Sequence, residues 1–372
     1  MSFTFVHTAD WQIGKPFGGF PPETATLLRA ARLDGVDRIA AVATAARARH
    51  VLVAGDVFDH AKPPQRVIGQ LLARLAAHRD LVWHLLPGNH DPAQPGTVWD
   101  DITRSNPSTN VRVCTKPEAV EIDPSVLLIP APLHAKAMSD DPTAFMDQVP
   151  SAPGVLRIGM AHGSVRGFDS TGEAAIPIAA DRANSARLDY LALGDWHGLT
   201  KIDARTWYSG THEPDGYKDN APGHVLIVTL TAQGTMPTVR QVATNQYHWQ
   251  RQALDVTSAD DLAGYVETLD ANPMPSARLI LKLDISGRVP LAKLGALEER
   301  LAKLSAAIAD LDADLSGINA TTGTGDMDAL GTGSIATIAH RLAAVRDTGD
   351  PMQQVAATRA LRILARLAGP TA

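Results

Sequence analysis

The sequence predicts an α/β chain, α+β overall, with one large unit and a smaller appended one. Three observations predict it. Short β-branched or leucine-rich runs end in Asp, Asn, His or Gly, helical stretches separate several of these runs, and the pattern changes after about Ala243. Strand and helix in alternation imply a largely parallel, buried sheet. In such sheets ligands gather at the carboxyl ends of the strands, and the polar residues of this chain sit at those ends.

Phe3 to Thr8 is the first strand. Pro21 and Pro22 lead the Ala-rich stretch Glu23 to Arg49, a helix whose first turn suits the fixed φ of proline. His50 to Ala54, Leu81 to Leu86, Val126 to Pro130, Leu156 to Ala161 and Tyr190 to Leu193 follow as strands. Beyond Ala243, His248 to Val256 reads as a strand, Ala259 to Leu269 as a helix and Arg278 to Ile285 as an alternating strand. Leu291, Leu294, Leu297, Leu301, Leu304, Ile308, Leu311 and Leu315 are spaced by threes and fours, the stripe of one long amphipathic helix. Ser316 to Ser334, rich in Gly and Thr, reads as a flexible linker, and two amphipathic segments finish the chain. The expected domains are 1–244, a small α+β unit at 245–316, and 317–372 as linker and C-terminal helices.

The chain has 372 residues and is 45% apolar, as soluble globular proteins are. Its net charge of -6 excludes a surface that is basic all over, so any nucleic-acid binding must be local. Cys114 is alone, which rules out an intrachain disulfide and suits a reducing compartment. No apolar run is long enough for a membrane span and the N-terminus lacks the marks of a signal peptide, so a cytoplasmic protein is expected.

Five short strings carry the chemistry: "DWQ" at Asp10, "GDVFD" at Gly55, "GNHD" at Gly88, "GMAHGS" at Gly159 and "GDWHG" at Gly194. Each follows a predicted strand. Each offers carboxylate, amide or imidazole groups, the usual donors to hard or borderline divalent cations. GNHD alone would equally suit a turn capped by Asn, but five such strings in order point to a metal site.

The set resembles the calcineurin-like metallophosphoesterase superfamily, and "HTADW" with "GDVFD" and "GNHD" is most similar to SbcD-type DNA repair nucleases. The resemblance covers roughly residues 1 to 245 and is weak beyond. It implies a four-layer αββα sandwich, a smaller capping unit, and two divalent cations bridged by Asp56. Position by position, it implies Asp10, Gln12, Asp56 and His197 around one ion, and Asp56, Asn89, His162 and Asp195 around the other. His90 corresponds to the catalytic histidine and Asp59 to the carboxylate that orients it. The chemistry suits these residue types, because two metals neutralise a phosphodiester and can lower the pKa of bound water from 15.7 to roughly 7. A protonated His90 would supply the leaving oxygen with its proton, worth about 10²- to 10⁴-fold. The alternative role for Asp59 is a helix cap before Pro63 and Pro64.

The family has histidine where Gln12 and Asp195 stand. The amide is a weaker ligand and the carboxylate adds a charge, so the cluster shifts from nitrogen toward oxygen. Two ions at +2 less three aspartates leave +1, against +2 in the usual arrangement. Oxygen-rich sites favour Mn²⁺, with Mg²⁺ or Fe²⁺ as further options. Lower-ranked substrate candidates are Arg166, His212, Trp11 and Trp196, the tryptophans as faces on which a base could stack.

Three functions compete. The first is an SbcD-like DNA exonuclease partnered by an SMC-like coiled-coil ATPase, held by the Arg-rich C-terminal helix, with a homodimer as a further expectation from the family. The second is a metallophosphoesterase for small phosphodiesters or phosphoproteins. The third is a non-catalytic scaffold with a vestigial metal site.

Overall fold

The computed structural model describes residues 2–105, 108–168, 176–270, 276–321 and 334–368. They form two compact units, Met1–Tyr247 and His248–Ala372. The first begins β1 (Phe3–Thr8), α1 (Pro22–Ala45), β2 (His50–Val53), α2 (Gln65–Ala77), β3 (Val82–Leu85), α3 (Val98–Arg104) and β4 (Val111–Val113). It continues with β5 (Val120–Asp123), β6 (Val126–Ala131), β7 (Leu156–His162), the short pair β8 (Ser164–Val165) and β9 (Pro177–Ile178), α4 (Arg182–Ser185) and β10 (Tyr190–Gly194). β11 (Thr200–Lys201), β12 (Thr206–Tyr208), β13 (His224–Leu230) and β14 (Thr238–Ala243) complete it.

These strands make two six-stranded sheets. The first has the order β14-β13-β1-β2-β3-β4 and the second β11-β12-β10-β7-β6-β5. Each has the parallel centre expected from strand–helix alternation, β1 to β4 in one and β6, β7, β10 and β12 in the other. Antiparallel strands close the edges, β13 and β14 on one sheet and β5 and β11 on the other.

One face of each sheet packs on the other. Phe5, Leu52, Ala54 and Leu86 of the first meet Leu128, Ile158, Met160, Tyr190 and Ala192 of the second in a shared core. On the outer face of the first sheet Val36, Ile39 and Ala43 of α1, Leu71 and Leu75 of α2 and Trp99 and Ile102 of α3 cover Val6, Val51, Val53 and Trp83. The outer face of the second is covered by short turns, Ala144–Gln148 and α4, through Met146, Ala183 and Ala186. The layered α/β sandwich is thus thick with helix on one side only.

Among the described residues the second unit has three strands, β15 (His248–Val256), β16 (Leu279–Pro290) and β17 (Asp310–Thr321), all parallel. Two helices, α5 (Ala259–Asp270) and α6 (Leu291–Ala307), connect them. The single long helix expected over Leu291 to Leu315 is corrected here. α6 ends at Ala307, Ile308 takes an extended backbone, and Ala309 N–H donates to the Leu279 carbonyl as the next strand opens. Leu311 and Leu315 continued the helical spacing by coincidence. In β17 the half-buried Leu311, Ala313 and Leu315 alternate with Asp310, Asp312 and Asp314, a period of two.

The start of the expected linker, Ser316 to Thr321, is therefore strand. Residues 322–333 lie outside the described residues. The helices Ser334–Thr348 and Pro351–Ala368 close the chain, and Ala339 and Leu361 are buried in the same core as Leu281, Leu297 and Ile318. The C-terminal helices are therefore part of this unit's core. Among the described residues no helix is long and apolar enough to cross a membrane.

Candidate metal centre

The strings meet at the carboxyl ends of β1, β2, β3, β7 and β10, where the two sheets face each other. Past the end of β1 the backbone stays paired to the β2 loop: Asp10 N–H donates to Gly55 O, Gln12 N–H to Asp56 O and Ile13 N–H to Val57 O. Both loops turn sharply. Asp10, Gln12 and Asp56 adopt φ of 54°, 43° and 52°, and Asp195 adopts 100°. Left-handed backbone at non-glycine residues costs roughly 1–3 kcal/mol each and persists where the surroundings enforce it. Four such residues in one site is a concentration of strain typical of function.

Asp10, Asp56 and His162 bring one ligand atom each to within 4.8 Å of the others, and all three are buried. His162 Nδ1 lies 2.9 Å from the Ala54 carbonyl, a contact that fixes Nδ1 as the protonated nitrogen. Its Nε2 faces Asn89 Oδ1 at 3.2 Å, Asp56 Oδ1 at 3.5 Å and Asp195 Oδ1 at 3.8 Å. Asp195 N–H donates to Asp10 Oδ1 at 3.1 Å, tying the end of β10 to the end of β1. Asp10 Oδ2 is buried without a hydrogen-bond partner. A buried carboxylate oxygen left unpaired is costly, and a cation is the partner this donor set fits.

The loops leave no spare room. A Cβ on Gly88 would lie 2.1 Å from Asp56 Oδ1, and one on Gly55 would lie 2.1 Å from His162 Nδ1. Asp91 accepts the Phe58 N–H at 2.9 Å and the Gly88 N–H at 2.7 Å, clamping the β2 and β3 loops together. Arg32 of α1, also buried, donates to the carbonyls of Asp10, Trp11 and Glu213 and to Thr211 Oγ1.

The electrostatics follow from this crowding. Burial lifts the Asp10 pKa to about 6, restrained by the charges of His197 and His162 and pushed up by Asp56. Burial disfavours charge on His162, but the carboxylates of Asp56, Asp10 and Asp195 outweigh it and lift its pKa to about 9. Burial raises Asp91 well above the usual carboxylate range.

Gln12 and His197 lie beside this cluster. Gln12 Nε2 is 3.1 Å from His197 Nε2, and His197 Nδ1 is 3.2 Å from Asp215 Oδ1. Lys15 Nζ donates to Gln12 Oε1 at 2.9 Å and to Asp215 Oδ2 at 2.7 Å. Lys15 and Asp215 were missed by the sequence reading, although Lys15 stands only three residues after Gln12.

His90 is exposed at the rim. Its backbone N–H donates to Asp56 Oδ1 and its ring Nδ1 is 3.0 Å from Asp59 O. The expected Asp59 role is therefore corrected: the atom that meets the ring is the backbone carbonyl, so the contact orients His90 without supplying a carboxylate charge. Trp11 and His212 have no exposed surface. Trp11 packs edge-on against Trp83 and His212, and His212 Nε2 is 2.8 Å from the Arg32 carbonyl. Neither ring has a face open to substrate, which corrects the expectation that they contact it. Trp196 is half-buried with its ring edge-on to Phe168 at 5.3 Å, and Arg166 is exposed beyond β8.

Residues 3–166 match the family described as calcineurin-like phosphoesterase. This stretch is thus similar to a family of metal-dependent hydrolases that bind divalent cations, and it contains Asp10, Asp56 and His162, which could hold a metal ion. The match ends before Asp195, His197 and Asp215. One solved crystal structure is 10% identical, covers 66% of this chain and 100% of its own, and superposes with a TM-score of 0.40. A search of the curated proteins gives no match.

Proposed function

We propose that the protein is a divalent-metal-dependent nuclease that hydrolyses DNA phosphodiesters, an SbcD-like exonuclease subunit. The observation that carries the metal reading is the buried trio Asp10, Asp56 and His162 with the unpartnered Asp10 Oδ2. Asp56, Asn89, His162 and Asp195 would hold one cation, and Asp10, Gln12, Asp56 and His197 the other. Mn²⁺ suits this oxygen-rich set, ahead of Mg²⁺ or Fe²⁺. When bound, such cations offset phosphate charge and make hydroxide available near neutral pH.

The chain's own residues supply the rest. His90, exposed and oriented through the Asp59 carbonyl, faces the site with Nε2 3.9 Å from Asp56 Oδ2. In its protonated form it donates to the leaving oxygen. Arg166 is accessible to meet a phosphate, and Trp196 borders the site beside Asp195.

The DNA substrate rests on the order of the five strings, the aspartate after GNH, and the appended second unit. The partner reading rests on the last helix, which buries Ala357 and Leu361 while exposing Met352, Val355 and Ile363. That outward apolar strip is suited to a coiled-coil ATPase of SMC type. A homodimer and a cytoplasmic location complete the proposal.

The test is end-labelled linear duplex and single-stranded DNA with Mn²⁺, beside His90→Ala. Degradation of DNA that falls roughly 10²- to 10⁴-fold in the variant, with metal binding unchanged, is expected. Cleavage of a chromogenic phosphodiester without any attack on DNA would favour a small-molecule phosphodiesterase instead, a reading the net charge of -6 favours. Absence of metal binding would leave the scaffold.

A further inference from the structure

The donors assigned to the two cation positions differ in how their lone pairs are used. Around His162 they are open in the sense that no ammonium or guanidinium among the described residues is hydrogen-bonded to the side chains of Asn89, Asp56 or Asp195. With Nδ1 donating to the Ala54 carbonyl, Nε2 faces only acceptors, the oxygens of Asn89, Asp56 and Asp195. Asp10, assigned to the Gln12–His197 position, also reaches within 4.8 Å of Asp56 and His162, and its Oδ2 has no partner.

Around Gln12 and His197 they are closed into a ring. Lys15 Nζ donates to Gln12 Oε1 at 2.9 Å and to Asp215 Oδ2 at 2.7 Å. His197 Nδ1 faces Asp215, and Gln12 Nε2 lies 3.1 Å from His197 Nε2. An ammonium only donates, so the amide oxygen must face Lys15 and its nitrogen must face His197. Each atom with which Gln12 and His197 would bind a cation therefore already has a hydrogen bond. Lys15 also sets a full positive charge, three-quarters shielded from solvent, at that position.

Resting on the metal reading above, we propose that Lys15 is the resident cation of the Gln12–His197 position, so that the two metal positions are unequal. One divalent ion binds tightly at the open set. The second binds only by displacing Lys15 from Gln12, against the repulsion of its charge. Lys15 keeps Asp215 as a partner when it moves, so displacement needs no rearrangement of the fold. The amide at residue 12 serves as the handle by which an internal cation competes with an external one.

The test is a Mn²⁺ titration of the metal-free full chain, followed by calorimetry and by electron paramagnetic resonance. Wild-type protein is expected to bind one equivalent at least about tenfold more tightly than the next. At one equivalent the spectrum should be that of isolated ions. Lys15→Met removes the charge and should tighten the second equivalent at least about tenfold, so that exchange-coupled pairs appear at substoichiometric metal. Lys15→Arg should leave the second equivalent weak. Gln12→His removes the oxygen that anchors Lys15 and should act like Lys15→Met; it stands in if the latter does not fold. Two equal equivalents in the wild type, or a second equivalent unmoved by both charge removal and Gln12→His, would overturn the proposal and leave the metal reading standing. Wild-type protein that binds no Mn²⁺ would overturn both.

Discussion

Asp10→Asn separates the cost of a buried carboxylate from its use. Asp10 is fully buried, with one oxygen accepting the Asp195 N–H and the other unpartnered. Burial lifts its pKa from 3.8 to about 6, so in the absence of metal the folded state prefers the protonated form. The sign follows: the contribution of Asp10 to stability is complete below about pH 4 and is lost as pH rises through about 6. A shift of about two units at 1.36 kcal/mol per unit makes the ionised carboxylate cost about 3 kcal/mol at about pH 8. His162 stays protonated over this range, because its pKa is about 9. Asparagine keeps an acceptor for Asp195 N–H and does not ionise. The assay is urea denaturation in a chelator at about pH 4.5 and about pH 8, then with Mn²⁺ added. The variant should match the wild type at the lower pH and exceed it by about 2–3 kcal/mol at the higher. Mn²⁺ should stabilise only the wild type, since only a native-state ligand site couples binding to folding. A variant less stable than wild type at the higher pH without metal would refute the reasoning.

Three further outcomes follow from the same geometry. A cation must displace the proton that His162 carries below about pH 9, so Mn²⁺ affinity should rise about tenfold per pH unit from about pH 7 to about pH 9. Calorimetry in buffers of different ionisation enthalpy should read the released proton; a flat pH profile would count against it. Gly88→Ala places a Cβ 2.1 Å from Asp56 Oδ1 and 2.3 Å from Asp56 N, so it should abolish Mn²⁺ binding and cost about 1–3 kcal/mol by overpacking, read by denaturation. In the second unit Leu361→Ala should cost about 2–5 kcal/mol because Leu361 is buried in the core. Ile363→Ser, on the exposed side of the same helix, should stay within about 0.5 kcal/mol.

The strand ends were legible because each apolar run stops at a short polar string, and a parallel sheet aligns such ends on one edge. That reasoning reaches Asp10, Asp56 and His162, which the structure brings within 4.8 Å. It does not reach Lys15 or Asp215, single charged loop residues 200 positions apart whose meeting depends on how two loops close over the β1 end. Nor does it reach the atom by which Asp59 meets His90, because chain position fixes the residue and leaves open whether carbonyl or carboxylate turns inward. Trp11 reads as a site residue from its place in DWQ and His212 from the fold the resemblance implies, yet both side chains are fully buried, and Gly35 of α1 leaves space for the His212 ring. At Ile308 the leucine spacing fits a continuing helix and a new strand alike. What decides is β16, whose open edge offers Leu279 O to Ala309 N–H.

The most direct measurement is anomalous diffraction at the manganese edge from crystals grown with Mn²⁺. Asp56 beside the stronger peak, with Asn89, His162 and Asp195 converging on it and Lys15 still on Gln12 at low metal, is the predicted density. No peak beside Asp56 and His162, or one bound elsewhere on the chain, would contradict the claim that the ends of the two sheets were built to share a cation.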